Sequence, residues 1–289
     1  MLIDFHTHTT ASDGTLTPAE LLDRSCDAGI KMLAITDHDT VEGYQQARAA
    51  IAERGPCGPW PQLIAGVEMS CQWSGMTIHV LGLGVTCDHP AMQEALQCLA
   101  EARRDRGVTI DARLARRGFD GALAGALVQA GSSQLGRPHF AAWMVQQGYV
   151  RDHNEAFDRY LGQGKTGDVK AFWPSLQQVS AWITQAGGVA LLAHPCKYRL
   201  SGMKLRRLLA DFVAAGGEGL EISSGQQTPD QVRHLRRLAR EMSLEVSVGS
   251  DFHRDRPYGP ALGVSTEAYE DLRGVWHRWS SAEAGSGLQ

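Results

Sequence analysis

The sequence lacks any apolar run of about 18 residues, the length at which a membrane-crossing helix is expected. It also lacks a strong charge excess. Its 28 Lys+Arg stand against 32 Asp+Glu, a net charge of -4. Sequence-independent binding to duplex DNA needs a basic face, so that partner is not expected. The six cysteines, Cys26, Cys57, Cys71, Cys87, Cys98 and Cys196, form no C-x-x-C pair. The chain is too long for a disulfide scaffold, so reduced thiols are expected. Met1-Leu2-Ile3-Asp4-Phe5-His6 carries neither the basic stretch nor the apolar stretch of a secretory signal. Together these absences predict a cytoplasmic protein off the membrane. No internal repeat or low-complexity block is visible.

What is present is ordinary in bulk and unusual in one count. A chain of 289 residues, 43% hydrophobic and 21% charged, is globular in composition. A chain of this size buries roughly 75% of its unfolded surface, so it needs no metal to fold, and any metal site would serve function. The unusual count is 11 His.

Short β-branched runs alternate with helical patterns. Strands are expected at residues 2–5, 31–36, 62–67, 77–83, 188–193, 219–222 and 244–248. Helices are expected after the Thr17-Pro18-Ala19-Glu20 cap and at 41–53, 175–186, 204–215 and 229–241. The alternation predicts an α/β fold with a parallel sheet. Residues 90–165 break the pattern and read as four helices, an α-helical insertion between the fourth and fifth strands. The expected organisation is a main domain over 1–99 and 166–279, an insertion over 100–165, and a Ser/Gly/Ala-rich tail over 280–289.

His6 and His8 end the first expected strand at a spacing that puts both on one face of an extended chain. Asp13 follows in the next loop. His38 lies just past the second strand, Glu68 ends the third, His79 lies in the fourth, and His194 ends the fifth. Asp251 and His253 follow the seventh at the same two-residue spacing. All but His79 fall at or just past a strand's carboxyl end, the side where α/β sheets and barrels build their sites. Imidazole-rich ligation with carboxylates suits Zn, Fe or Mn better than Ca or Mg. Nine candidates exceed one tetrahedral ion and predict two or three. Ions about 3.5–4 Å apart need a bridging carboxylate, for which Glu68 is the candidate.

Five segments carry a resemblance: H-x-H-T-x-x-S-D-G (His6 to Gly14), T-D-H-D (Thr36 to Asp39), G-x-E (Gly66 to Glu68), A-H-P (Ala193 to Pro195) and S-D-x-H (Ser250 to His253). In this order they resemble the polymerase-and-histidinol-phosphatase (PHP) family of metal-dependent phosphoesterases. The likeness is to stand-alone bacterial TrpH/YciV-like members, which carry a helical insertion with a motif like Gly136-Arg137-Pro138-His139-Phe140-Ala141. The resemblance implies a distorted seven-stranded (β/α) TIM-like barrel and three divalent metals, often Mn. One metal would take His6, His8, Glu68 and Asp251, the second Glu68, His79 and His194, and the third Asp13, His38 and His253. It further implies hydrolysis of the 3'-phosphate of nucleoside 3',5'-bisphosphates such as pAp, or 5'-to-3' trimming of short RNA. The nucleophile would be a hydroxide bridging metals, held by Glu68, His194 and Asp251. A C–N-cleaving amidohydrolase is the third possibility, though neither Lys31 nor Lys197 ends a strand where a carboxylated lysine would be wanted.

Charge divides unevenly along the chain. Residues 100–170 carry 11 Lys+Arg against 8 Asp+Glu, whereas the remainder has a net charge of -7. The run Arg103, Arg104, Arg106, Arg113, Arg116 and Arg117 reads as a solvated helix face. Arg137 and His139, at a helix start, are candidates to hold a second, non-reacting phosphate, together with Ser133 and Lys165. Tyr198 and Arg199, just past His194, are further candidates for substrate contact. Phe172-Trp173-Pro174 could line a nucleobase slot. Glu221, at the end of the sixth strand, could support a ligand or a helix contact equally well.

Overall fold

The computed structural model describes residues 1–169, 172–225, 227–255, 257 and 259–280; tail residues 281–289 lie outside the described residues. In chain order the elements are β1 (Leu2–Asp4), α1 (Pro18–Asp27), β2 (Met32–Ile35), α2 (Glu42–Arg54), β3 (Gln62–Trp73) and β4 (Met76–Leu83). The insertion follows as α3 (Pro90–Ala115), α4 (Ala122–Ala130), α5 (Arg137–Gln146) and α6 (His153–Ala156), with a π-helical turn over Phe157–Leu161. Then come α7 (Leu176–Gln185), β5 (Val189–Leu192), α8 (Gly202–Ala214), β6 (Gly219–Ser224), α9 (Pro229–Glu241), β7 (Glu245–Gly249), β8 (Val264–Ser265) and α10 (His277–Ser280).

All eight strands join one sheet in the order β7-β6-β5-β4-β3-β2-β1-β8. The sheet curls until its ends nearly meet. The Phe5 N–H donates to the Val248 carbonyl (3.2 Å), and the Asp251 N–H donates to the His6 carbonyl (2.8 Å). This is the expected distorted barrel, with a two-residue eighth strand added antiparallel to β1.

The expectation of a parallel sheet holds only in part. β4 runs antiparallel to both β3 and β5. A parallel crossover needs a dozen or more residues, and only Ser74 and Gly75 separate β3 from β4. Both have positive φ (48° and 74°), as a tight hairpin turn requires. β3 also runs six residues beyond its expected end, so Glu68 lies within the strand rather than at its tip.

The remaining elements follow local chemistry. Thr17 and Glu20 form a capping box at the start of α1, with Pro18 at its first position. Ser175 with Gln178 and Thr228 with Gln231 start α7 and α9 in the same way. One apolar core, including Val67, Leu81, Leu191, Leu220 and Val246, fills the barrel and the layer beneath α7 to α9. The insertion has its own core, including Ile110, Leu114, Ala126, Phe140 and Trp143. No described helix is long and apolar enough to cross a membrane.

Candidate metal centre

All nine metal-ligand candidates converge at one mouth of the barrel. Glu68 stands at the middle. Its Oε1 lies 2.8 Å from both His79 Nδ1 and His194 Nε2. Its Oε2 lies 3.0 Å from His38 Nδ1 and 3.3 Å from the Nε2 atoms of His6 and His8. Asp251 Oδ1 lies 3.4 Å from the same two Nε2 atoms and 3.5 Å from His253 Nδ1. Asp13 Oδ1 is 3.4 Å from His253 Nε2. Four overlapping groups have candidate ligand atoms mutually within 4.8 Å: His8, Asp13, His38 and His253; His6, His8 and Glu68; His6, His194 and Asp251; and His38, Glu68 and His79.

The backbone is arranged around this cluster. His194 (φ 28°), Asp251 (φ 54°) and Asp39 (φ 55°) take positive φ, which costs non-glycine residues energy and concentrates at functional sites. Gly249 is needed where β7 passes His6, because a Cβ there would stand 2.4 Å from the His6 Cβ. Glu221 ties two ligand candidates together. One oxygen lies 2.9 Å from His6 Nδ1, and the other accepts the His194 backbone N–H at 2.7 Å. Tyr198 accepts the His79 N–H and donates to the Ala193 carbonyl, both at 2.9 Å.

The cluster fits divalent metal. Among the described residues, His6 Nε2, both His8 nitrogens, His38 Nδ1, His194 Nδ1 and Glu68 Oε2 are buried without a hydrogen-bond partner, though carboxylates lie close to several of them. An unsatisfied buried polar group costs about 1–3 kcal/mol, so several in one place call for a ligand that takes lone pairs. Protonation points the same way. Burial lowers His79 to about 4 and holds His194 and His253 below the usual imidazole range, and neutral imidazole is the ligating form. His6 is the exception. Burial opposes its charge, but the Glu221 and Glu68 carboxylates overcome that and raise it to about 10. Glu68 itself is held well below its usual value, because the surrounding imidazoles outweigh its burial.

A cavity of about 480 Å³ opens beside the cluster. Asp13, His38 and His79 line it together with Arg103, Arg106 and Arg137. The solvated reading of the α3 arginines is corrected for three of them: Arg103, Arg106 and the half-buried Arg113, which donates to the Thr166 and Asp168 carbonyls. Arg103 is 7% exposed, donates through Nε to Asp39 Oδ2 (2.7 Å) and through Nη1 to the Leu135 carbonyl. Arg106 donates to the Val169 carbonyl, and burial, with Arg137 and Arg103 nearby, lowers it to about 9. Both guanidiniums lie over the Trp173 ring, 5.5 and 5.4 Å from its centroid. The signal was in the helix phase: Arg103 and Arg106 fall on the stripe of Leu99, Ala102 and Ile110, whereas Arg104, Arg116 and Arg117 face solvent.

The expected substrate contacts divide. Arg137 and Tyr198 line this cavity. Arg137 donates to the Leu161 carbonyl (3.0 Å), with Asp168 4.0 Å away. Ser133, His139, Lys165 and Arg199 do not line it. His139 is buried, its Nδ1 accepting the Gly136 N–H, so it caps α5. The Ser133 hydroxyl donates to the Ala130 carbonyl. Lys165 sits in an exposed turn, and Arg199 is exposed just past the Tyr198 turn.

Comparison with known proteins gives this geometry a family. The PHP domain matches residues 4–123. A 5'-3' exoribonuclease of Haemophilus influenzae is 41% identical over 96% of this chain and 98% of its own. The chain belongs to the PHP family. A second relative, a 3',5'-nucleoside bisphosphate phosphatase of Chromobacterium violaceum, is 37% identical over 95% of both chains. A solved structure from Chromobacterium violaceum, described as an amidohydrolase with bound sulfate and no metal, superposes with a TM-score of 0.84. It is 36% identical, with 96% of this chain and 95% of that one covered.

Proposed function

We propose that this PHP protein is a cytoplasmic, metal-dependent phosphoesterase that removes the 3'-phosphate from nucleoside 3',5'-bisphosphates, leaving the 5'-monophosphate. The observation that carries the reading is that one cavity is lined both by Asp13, His38 and His79 and by Arg103, Arg106 and Arg137. Three guanidiniums exceed the two carboxylates, Asp13 and Asp168, that line the same cavity, and Asp13 belongs to the ligand cluster. Guanidinium forks match phosphate oxygens, so the arginines suit the 5'-phosphate while the histidines receive the 3'-phosphate. In this reading residues 1–99 and 166–279 form the metal-holding barrel, and residues 100–165 form the insertion that grips the substrate. Six cysteines without a disulfide fit a reducing compartment.

The nine ligand candidates would hold two or three ions, with Mn preferred and Fe or Zn also suited to the donor set. Bound divalent cations lower the pKa of water toward neutrality and polarise phosphoryl oxygens. The protein's own work is positional. Glu68 and Asp251 set the imidazoles at fixed spacing, Glu221 orients His6 and His194, and Tyr198 fixes the strand that carries His79. The insertion arginines hold the non-reacting phosphate so that the reacting one meets the cluster repeatedly in one pose.

The exonuclease reading shares this site, because trimming RNA from its 5' end breaks the same kind of P–O3' bond. Its support is the relative from Haemophilus influenzae. A turnover screen with Mn across nucleotides of varied phosphate position tests the main reading. Inorganic phosphate should be released from 3',5'-bisphosphates and not from 5'-monophosphates. Equal rates on 3'-monophosphates would overturn the role of the cavity arginines, and amide hydrolysis without phosphate release would favour an amidohydrolase.

A further inference from the structure

Asp13 is a ligand candidate that no strand holds. It sits in the loop between β1 and α1. It lines the cavity described above and also a second cavity, of about 590 Å³, that Asp251 and His253 reach. Open space rather than packed side chains faces it, so hydrogen bonds must fix its position. The turn from Thr9 to Gly14 closes on Thr9. The Ser12 and Gly14 N–H groups donate to the Thr9 carbonyl (3.1 and 2.9 Å), and the Ala11 N–H donates to the Thr9 hydroxyl oxygen (3.1 Å). Asp37 holds this turn from outside. Its Oδ1 accepts the Thr9 N–H (2.7 Å) and the Ser12 hydroxyl (2.6 Å), and its Oδ2 accepts the Thr9 hydroxyl (2.6 Å). Asp37 is 1% exposed, and Thr9 and Ser12 are buried with it. Burying a carboxylate is costly unless hydrogen bonds offset the lost water, and all three of these bonds go to one turn. The Asp37 backbone serves the other direction, its carbonyl accepting the Glu68 N–H (3.2 Å). Asp37 thus ties the turn that carries Asp13 to the strand that carries Glu68.

We propose that Asp37, which is not itself a ligand candidate, is a positioning residue for the ion of His8, Asp13, His38 and His253. The inference rests on the metal-dependent reading above. Asp13 supplies the only carboxylate in that group and belongs to none of the other three groups. Its Oδ1 lies 3.9 Å from His8 Nδ1, 3.9 Å from His38 Nε2 and 3.4 Å from His253 Nε2. Mn favours carboxylate oxygen over imidazole, so a turn that drifts weakens this one ion and leaves the others bound. The neighbouring helix keeps room for the anchor. A Cβ on Gly43, in α2, would collide with Asp37 Oδ2 and stand 2.7 Å from the Thr9 hydroxyl oxygen. Alanine is otherwise the better helix residue, so the gap at Gly43 serves the carboxylate.

The test measures Mn affinity by calorimetric titration and Mn content by mass spectrometry after desalting, in wild type, Asp37→Ala, Gly43→Ala, Ser12→Ala and Asp13→Ala. Asp13→Ala marks the loss of the ligand itself and identifies its ion. Asp37→Ala and Gly43→Ala should weaken that ion about 10- to 100-fold, the scale for residues that orient a ligand. Each should carry one ion fewer than wild type, as Asp13→Ala does. Gly43→Ala leaves every ligand and the charge of Asp37 in place, so it isolates position from charge. Ser12→Ala removes one bond of the three and should weaken the same ion about 2- to 10-fold, the scale of one hydrogen bond. It keeps the inference open to test if Asp37→Ala does not fold. Full Mn content and unchanged affinity in Gly43→Ala and Ser12→Ala overturn the inference. Joint loss of all ions with a lowered melting midpoint, the result expected of a purely structural carboxylate, also overturns it and leaves the metal-dependent reading standing. A wild type that binds no Mn overturns that reading itself.

Discussion

The barrel mouth and the inner face of the insertion both bury charge, and they do so in opposite ways. At the mouth, carboxylates and imidazoles surround one another, and several lone pairs are left without hydrogens to accept. On the insertion, guanidiniums donate to the Leu135, Leu161 and Val169 carbonyls and lie over aromatic rings, and the charge is positive. The first surface wants a cation and the second an anion. The salt bridge between Arg103 and Asp39, the residue next to His38, joins the two. In the proposed function a substrate phosphate would be attracted to both surfaces, by metal at one and by guanidinium at the other. On that proposal the difference separates a reacting end from a holding end.

The strongest way to break that division is Asp251→Asn. It should lower kcat by at least about 10²–10³-fold, the scale for losing one electrostatic group at a reacting centre, and bound metal measured by mass spectrometry should fall with it. Unchanged turnover would remove Asp251 from the reacting end. Arg137→Ala should act on the other side. Charge-assisted hydrogen bonds of about 1.5–3 kcal/mol predict a KM for 5'-phosphorylated substrates raised about 10- to 100-fold, with a smaller change in kcat. A KM that stays put would show that the cavity arginines do not hold phosphate.

The legibility of the two surfaces in the sequence differs for a physical reason. Histidine is uncommon, and a ligand must point inward from a strand end, so His6 with His8 and Asp251 with His253 announce themselves by spacing. Arginine is common on helices, where it usually faces water. Arg103 and Arg106 differ from Arg104 only in sharing the apolar stripe of α3, a phase difference easily lost in a basic run. Arg137 was legible because Gly136 and Pro138 mark a helix start. His139, in the same turn, spends its ring nitrogen on the Gly136 N–H, a local contact that sequence spacing does not separate from a substrate contact. The reversal of β4 was written in Ser74-Gly75, a turn too short for a crossover. The near-closure of the sheet depends on pairings between residues more than 240 positions apart and has no local signature.

Removing metal sharpens the comparison from the electrostatic side. His79, His194 and His253 have folded-state pKa values below the reference of 6.5. They contribute stability that is present above about 6.5 and lost as pH falls toward 4. His6, raised to about 10, contributes stability that is present below 6.5 and lost as pH rises through 10. With a chelator present, the denaturant midpoint should therefore peak near pH 6.5 and decline on both sides, more steeply toward acid. Saturating metal should flatten the neutral-to-alkaline arm, and a midpoint that climbs steadily from pH 6.5 to 10 without metal would contradict the His6 environment. The smallest effects belong to Lys165→Ala and Arg199→Ala, whose side chains line neither cavity. Each should change kcat/KM by less than about twofold, as exposed substitutions do; a tenfold loss would move the holding end away from the cavity arginines.

The seam between β1 and β7 has a consequence for how the protein is made. His6 and His8 leave the ribosome early, but their partners Asp251 and His253 follow more than 240 residues later, and the His6 carbonyl waits for the Asp251 N–H. Chains emerge at about 5–20 residues per second. For roughly ten seconds or more, a nascent chain carries the first two histidines and Glu68 without Asp251, the second carboxylate beside them. The groups His6, His8 and Glu68 and His38, Glu68 and His79 are present on the chain early, whereas the full set of nine is complete only when the two distant stretches of chain have met.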